Sequence, residues 1–157
     1  MAQLTPSQKG AAAEAAITAA VIQLGFTVLR PLCEGRRYDL IVDLDPDLLR
    51  VQCKLARRVG GVLAIKLETS RHTPRDGYMR SSYSPAEIDA IAIYSPDLAR
   101  SYLIPIVDIC GRRGLHLRVA PTGNNQANGI NWASDHELEP AIRRLREGRP
   151  DEEARGG

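Results

Sequence analysis

The sequence predicts an α/β domain. A long stretch of helix formers opens the chain, several short β-branched or alternating runs follow between Gly, Pro and Asp turns, and a second helical pattern closes it. At 157 residues, with 43% hydrophobic and 25% charged residues, the length suits one globular domain with a real core. That domain is expected to span residues 1–148, with "RPDEEARGG" as a disordered tail over 149–157.

Each element has its own signal. Ser7–Leu24, "SQKGAAAEAAITAAVIQL", is rich in helix formers, is preceded by the capping residues Thr5 and Pro6, and meets Gly25 where a helix would stop. Phe26–Leu29, Tyr38–Leu44, Arg50–Leu55 and Val62–Thr69 read as strands of a meander. Arg71–Ser84 is polar without a clear period, and Pro85–Glu87 can open a short turn. Ile88–Tyr94 and Ser101–Val107 read as two more strands joined by the turn "SPDLAR". Beyond them the chain is irregular except for a strand at Leu115–Val119 and a closing helix at His136–Arg146. There is no internal repeat.

Composition excludes several classes. The net charge is only +2, so a basic surface must come from local clustering. Cys33, Cys53 and Cys110 are odd in number and widely spaced, with no CxxC or His partner, which argues against a disulfide framework or a zinc site. Glu14 interrupts the Ala-rich opening, and no run of about 18 apolar residues occurs. These features point to a reducing, cytoplasmic setting without a membrane segment.

Chemistry concentrates in "YDLIVDLDPDLLRVQCKL", Tyr38–Leu55. Side chains alternate along a strand, so Asp39, Ile41 and Asp43 share one face of theirs, and Gln52 and Lys54 likewise share one face of theirs. A turn centred on Pro46 and Asp47 sets Asp39 opposite Lys54 and Ile41 opposite Gln52, all on one side of the sheet. A carboxylate, an amide oxygen and an ammonium gathered there suit a hard divalent cation and a phosphate, with water activation as the outcome. Glu14, the sole acidic residue of the first helix, lies among alanines that permit close approach. A lone Glu of this kind is ordinarily a solvated surface residue, and the hairpin makes it a candidate second carboxylate.

A helix bearing Glu, then "YDLIVD", a turn and "VQCK", resembles the PD-(D/E)XK nuclease core in the variant with Gln at the D/E position. "KG" before the helical Glu, "EIDAIAIYSPDLARSYLIPI" (Glu87–Ile106) and "GNNQANGINWASDHEL" (Gly123–Leu138) are similar to the branch that includes cyanobacterial group I intron homing endonucleases. The resemblance covers roughly Lys9–Leu138. It implies a central mixed sheet flanked by helices, and an endonuclease dependent on Mg2+ (or Mn2+). Glu14, Asp39, Gln52 and Lys54 match the family's active-site positions, with Glu14, Asp39 and Gln52 as metal ligands. Two departures stand out: Tyr38 replaces the usual Pro before Asp39, and the Gln52 amide removes one negative charge from the site.

Between Ala56 and Arg80, six basic residues (Arg57, Arg58, Lys66, Arg71, Arg75, Arg80) face only Glu68 and Asp76, a local excess suited to a phosphate backbone. Asn124, Asn125 and Gln126 carry donor and acceptor pairs that fit adenine edges. Aromatics are few, at 4%, which disfavours stacking platforms for single strands and favours double-stranded DNA. One site cuts one strand, so a double-strand break implies a homo-oligomer, a dimer or larger. The expected activity is site-specific cleavage of double-stranded DNA, homing or restriction-like. Its alternatives are a structure-specific nuclease similar to Holliday junction resolvases and a DNA-binding module that has lost catalysis. Other residues have plainer readings: Asp43 as a turn carboxylate with Asp45 and Asp47, Cys53 as a small core residue, His72 as a surface residue, and Trp132 as the anchor of its loop. Ser70 and Asp89 match positions of the resemblance, although an Asp opening a strand is ordinarily a turn or capping residue.

Overall fold

Thr5 starts the first helix, α1 (Pro6–Gln23): its hydroxyl accepts from the Gln8 N–H while the Gln8 side chain accepts from the Thr5 N–H. Ala13, Ile17 and Val21, four residues apart, form the buried stripe of this helix. In this computed structural model, which describes residues 3–126 and 128–148 but not the side chains of residues 70–73 and 78, strands follow in quick succession. They are β1 (Thr27–Leu29), β2 (Leu40–Asp43), β3 (Leu48–Leu55), β4 (Arg57–Val59), β5 (Val62–Lys66), β6 (Thr69–Thr73), β7 (Gly77–Ser81), β8 (Ala90–Ser95) and β9 (Arg100–Pro105). A short helix α2 (Ile106–Ile109), β10 (Gly114–Arg118), a 3-10 turn over Ala133–His136 and the helix α3 (Leu138–Glu147) complete the order. The tail expected over 149–157 lies outside the described residues.

Five strands form a central mixed sheet in the order β1-β2-β3-β8-β9, in which β3 and β8 run parallel and the other neighbours antiparallel. A parallel pair needs a long crossover, and residues 56–89 supply it, carrying β4 to β7. β8, "AIAIYS", reads as an unbroken apolar run because both its faces are covered. On one face, Ile17 and Val21 of α1 and Ala141 and Ile142 of α3 pack on Leu40, Val42, Val51, Cys53, Ala90 and Ala92. On the other, Ile91, Ile93 and Ile104 meet Leu63, Ile65, Leu115 and Leu117 from a small antiparallel sheet, β10-β5-β4. β6 and β7 pair as a separate ribbon. No helix among the described residues is long and apolar enough to cross a membrane.

The sequence expectations need four corrections. The meander ends at β3, because Val62–Lys66 leaves the central sheet to pair with β4 and β10. β4 and the β6–β7 ribbon went unpredicted: β4 is exposed at all three residues, and the ribbon is too polar to show an apolar period. The closing helix starts at Leu138, since Ala133–His136 turns as 3-10 helix before Glu137. The β2–β3 register is Ile41 opposite Arg50 and Leu40 opposite Val51, two residues from the expected pairing. Its turn centres on Asp45 and Pro46, with Leu44 N–H donating to Asp47 O at 2.8 Å. A slip of two preserves which side chains share a face.

Candidate active site

β3 outruns β2, and Asp39 sits where their ladder stops. The Asp39 N–H donates to Val51 O at 2.9 Å, and its carboxylate Oδ2 accepts the Cys53 N–H at 2.8 Å. A side-chain oxygen thus takes the place of a backbone carbonyl and orients the carboxylate along the end of β3. The register carried one residue further sets Asp39 across from Gln52. The Gln52 amide makes only a long 3.5 Å bond from Nε2 to Cys53 O, and its oxygen accepts no hydrogen bond among the described residues.

Glu14, Arg30 and Asp39 line an open pocket of about 340 Å³ walled by the 31–36 loop and Tyr38. Arg30 Nη2 lies 2.7 Å from Glu14 Oε2. Burial raises the Asp39 pKa above its ordinary value and Glu14 adds to the rise, while the Cys53 N–H, Lys54 and Arg30 oppose it. Burial likewise lowers the Lys54 pKa, against the pull of Asp39 and with the charges of Arg37 and Lys66 adding to the fall. The structure therefore brings Glu14, Asp39 and Lys54 into one electrostatic neighbourhood with Gln52 alongside. Cys53 is a core residue on the opposite face of β3, its thiol pushed up by burial.

Sequence reasoning missed Arg30, Arg37 and Tyr83. Lys54 Nζ lies 5.0 Å and Arg37 Cζ 4.5 Å from the centroid of the Tyr83 ring. Arg37 also reaches the base of the β6–β7 ribbon, where its Nη1 donates to Thr69 Oγ1 at 2.7 Å. Two signals were present: the doubled Arg immediately before "YDL", and Tyr83, one of two tyrosines in the polar stretch before Pro85.

The remaining candidates are spread more widely. Arg57 and Arg58 stand exposed on β4, Lys66 is exposed at the end of β5, and Arg75 and Arg80 are exposed on the β6–β7 ribbon. The side chains of Ser70, Arg71 and His72 lie outside the described residues. Asn124, Asn125 and Gln126 sit exposed in the loop after β10, and their hydrogen bonds are local: Asn124 Oδ1 accepts the Gln126 N–H at 3.3 Å. Asp43 Oδ1 accepts the Asp45 N–H at 2.8 Å, in keeping with a turn carboxylate. Asp89 is engaged by Arg50, whose Nη2 reaches Oδ1 at 3.1 Å and whose backbone N–H reaches Oδ2 at 2.7 Å, so it ties β3 to the start of β8.

Two carboxylates and an amide oxygen form a hard donor set, and a cation beside Asp39 would relieve the burial and the Glu14 repulsion that raise its pKa. Among the described residues no group of three or more His, Cys, Asp or Glu converges, so the amide oxygen of Gln52 is the third donor on offer. The residues present fit a hard divalent ion.

Fold and site together define a nuclease, and the chain belongs to the PD-(D/E)XK endonuclease family, whose profile matches residues 4–139. The family expected from "YDLIVD" and "VQCK" is thereby borne out. The fold is similar to that of I-Ssp6803I, described as a bacterial homing endonuclease, with a TM-score of 0.73 at 24% identity over 92% of this chain and 96% of that one. No curated protein sequence matches this chain.

Proposed function

We propose that this nuclease hydrolyses phosphodiester bonds of double-stranded DNA with Mg2+ (or Mn2+), at specific sites, as a dimer or larger homo-oligomer. The observation that carries the reading is the Asp39 carboxylate, fixed by the Cys53 N–H, with Glu14 and Lys54 sharing its electrostatic field. Glu14, Asp39 and Gln52 would hold the ion, which when bound supplies Lewis acidity and a more acidic water.

Asp39 is oriented before any substrate arrives, because its second function is to satisfy the end of β3. Lys54 keeps its ammonium 5.0 Å from the Tyr83 ring centroid and within the field of Asp39, available to meet charge developing on the phosphoryl oxygens. Burial weakens its hold on the proton, which suits Nζ to pass one during the reaction. Arg57, Lys66, Arg75 and Arg80 present exposed positive charge for the duplex backbone. Each chain carries one site, so cutting both strands calls for two copies.

Plasmid, a four-way junction and single-stranded DNA, each incubated with Mg2+ and with EDTA, test this reading. Metal-dependent nicking or linearisation of plasmid at discrete positions is expected. Cleavage of the junction alone would favour a resolvase-like enzyme, and binding without cleavage in every metal would leave a DNA-binding module.

A further inference from the structure

Tyr83 is 3% exposed, and its buried hydroxyl has no hydrogen-bond partner among the described residues. The position therefore uses the ring rather than the hydroxyl, and the ring touches two cations, Lys54 and Arg37. Arg37 makes a second set of contacts. Its Nη1 donates to Thr69 Oγ1 at 2.7 Å and Ser81 Oγ at 3.0 Å, two residues paired directly at the base of the β6–β7 ribbon, and its Nη2 donates to Ser82 O at 3.0 Å. One planar guanidinium thus joins the ribbon to the ring beside Lys54.

We propose that Arg37 and Tyr83 are positioning residues that couple the seating of the β6–β7 ribbon on duplex DNA to the placement of the Lys54 ammonium. The proposal rests on the nuclease reading of the same site. The ribbon belongs to neither sheet, and a two-stranded ribbon holds little structure by itself, so its base depends on such ties. Its exposed Arg75 and Arg80 offer the duplex a grip. A rigid fork passes a shift of the ribbon to the ring, whereas a lysine at the same place would give a single flexible point of contact. Lys54 has a flexible four-carbon stem, and the ring restricts where its ammonium rests.

The chain has three lysines, Lys9, Lys54 and Lys66, so protein carrying 13C-lysine gives three resolvable sets of ε-methylene NMR signals, with Lys54 identified by Lys54→Ala. The Lys54 protons are expected upfield of the other two through the ring current of Tyr83. That shift is kept in Tyr83→Phe and lost in Tyr83→Leu. Adding duplex DNA with Ca2+ should move the Lys54 signal in the wild-type protein and leave it still in Arg37→Lys. In cleavage at saturating DNA and Mg2+, Tyr83→Phe should match wild type, while Tyr83→Leu and Arg37→Lys lose roughly 10–100-fold in kcat with KM nearly unchanged. Lys54 signals coincident with those of Lys9 and Lys66 in the folded wild-type protein would overturn the proposal. So would a wild-type kcat in Arg37→Lys, which also decides the matter where Tyr83→Leu does not fold. If wild-type protein cuts no DNA, the nuclease reading fails, and the Lys54 signal still decides whether ring and ribbon act on it.

Discussion

Replacing Asp39 by Asn should stabilise the metal-free protein while abolishing cleavage. Burial raises the Asp39 pKa above its ordinary value of 3.8, Glu14 adds to the rise, and the opposing Cys53 N–H, Lys54 and Arg30 do not cancel it. A carboxyl that holds its proton more tightly in the folded state costs stability wherever it must ionise. The cost sets in as pH rises through 3.8, is complete above the folded pKa, and is fully present at pH 7. Asn deletes the charge and keeps an oxygen for the Cys53 N–H. The expected gain at pH 7 in EDTA is about 0.5–2 kcal/mol, the common size of a single stabilising substitution. For a chain of this size each kcal/mol moves Tm by about 2–4 °C.

Metal should invert that order. A divalent ion at a hundred times its Kd adds about 2.7 kcal/mol to the folded wild-type protein, more than that gap, and the Asp39→Asn variant, lacking the proposed Asp39 ligand, gains less. Thermal melts of both proteins at pH 7, 5 and 4, in EDTA and in excess Mg2+, give the comparison. The variant should melt higher in EDTA at pH 7, with the gap closing on acidification and reversing in Mg2+. A variant less stable than wild type in EDTA at pH 7, or a gap indifferent to pH, would refute the account of Asp39.

Gln52→Glu restores a carboxylate of nearly the same shape, so half-maximal cleavage should need less Mg2+, whereas Gln52→Leu should need more. Identical metal titrations for all three proteins would show that the side chain does not touch the ion. Arg57→Ala and Lys66→Ala should each weaken DNA binding across sequences and reduce the slope of log K against log salt by about one unit, as read by binding isotherms at several ionic strengths. Arg50→Met removes the bidentate grip on Asp89 and two bonds to the carbonyls of Pro85 and Ala86. It should cost about 2–3 kcal/mol, and a urea midpoint unchanged from wild type would contradict that estimate.

Much of this was legible in the sequence. α1 announced itself through the Thr5 cap and the alanines, β8 through an apolar run, and the shared face of the candidate site through Asp39 and the Gln52-x-Lys54 spacing, because period-2 alternation survives a register slip of two. What stayed hidden depends on contacts between distant segments or on exposed strands. β5 looked like the next strand of a meander, and only its pairing with β10, some fifty residues later, draws it into the second sheet. Arg37 and Tyr83 are separated by 46 positions and meet through tertiary packing that no local pattern encodes. β6 and β7 are written in residues too polar to leave an apolar periodic trace.

The place of the site follows from the unequal lengths of two strands. β3 has eight residues and β2 four, so on the β2 side the end of β3 runs past its partner, while on the other side β8 pairs with it from Val51 to Leu55. Unmet N–H groups are thereby confined to one flank, and the Asp39 carboxylate fills the vacancy at Cys53. The bond that finishes the sheet is the bond that orients the Asp39 carboxylate. Asp39→Ala and Asp39→Asn should therefore differ: both remove the charge, but Ala also orphans the Cys53 N–H, which costs about 1–3 kcal/mol. Stability in EDTA at pH 7 should place Asp39→Asn above Asp39→Ala by that amount. Hydrogen exchange at the Cys53 amide should stay slow in wild type and Asp39→Asn and become fast in Asp39→Ala. Equal protection in all three would mean that another acceptor holds the end of β3, and that Asp39 is oriented by something other than the sheet it completes.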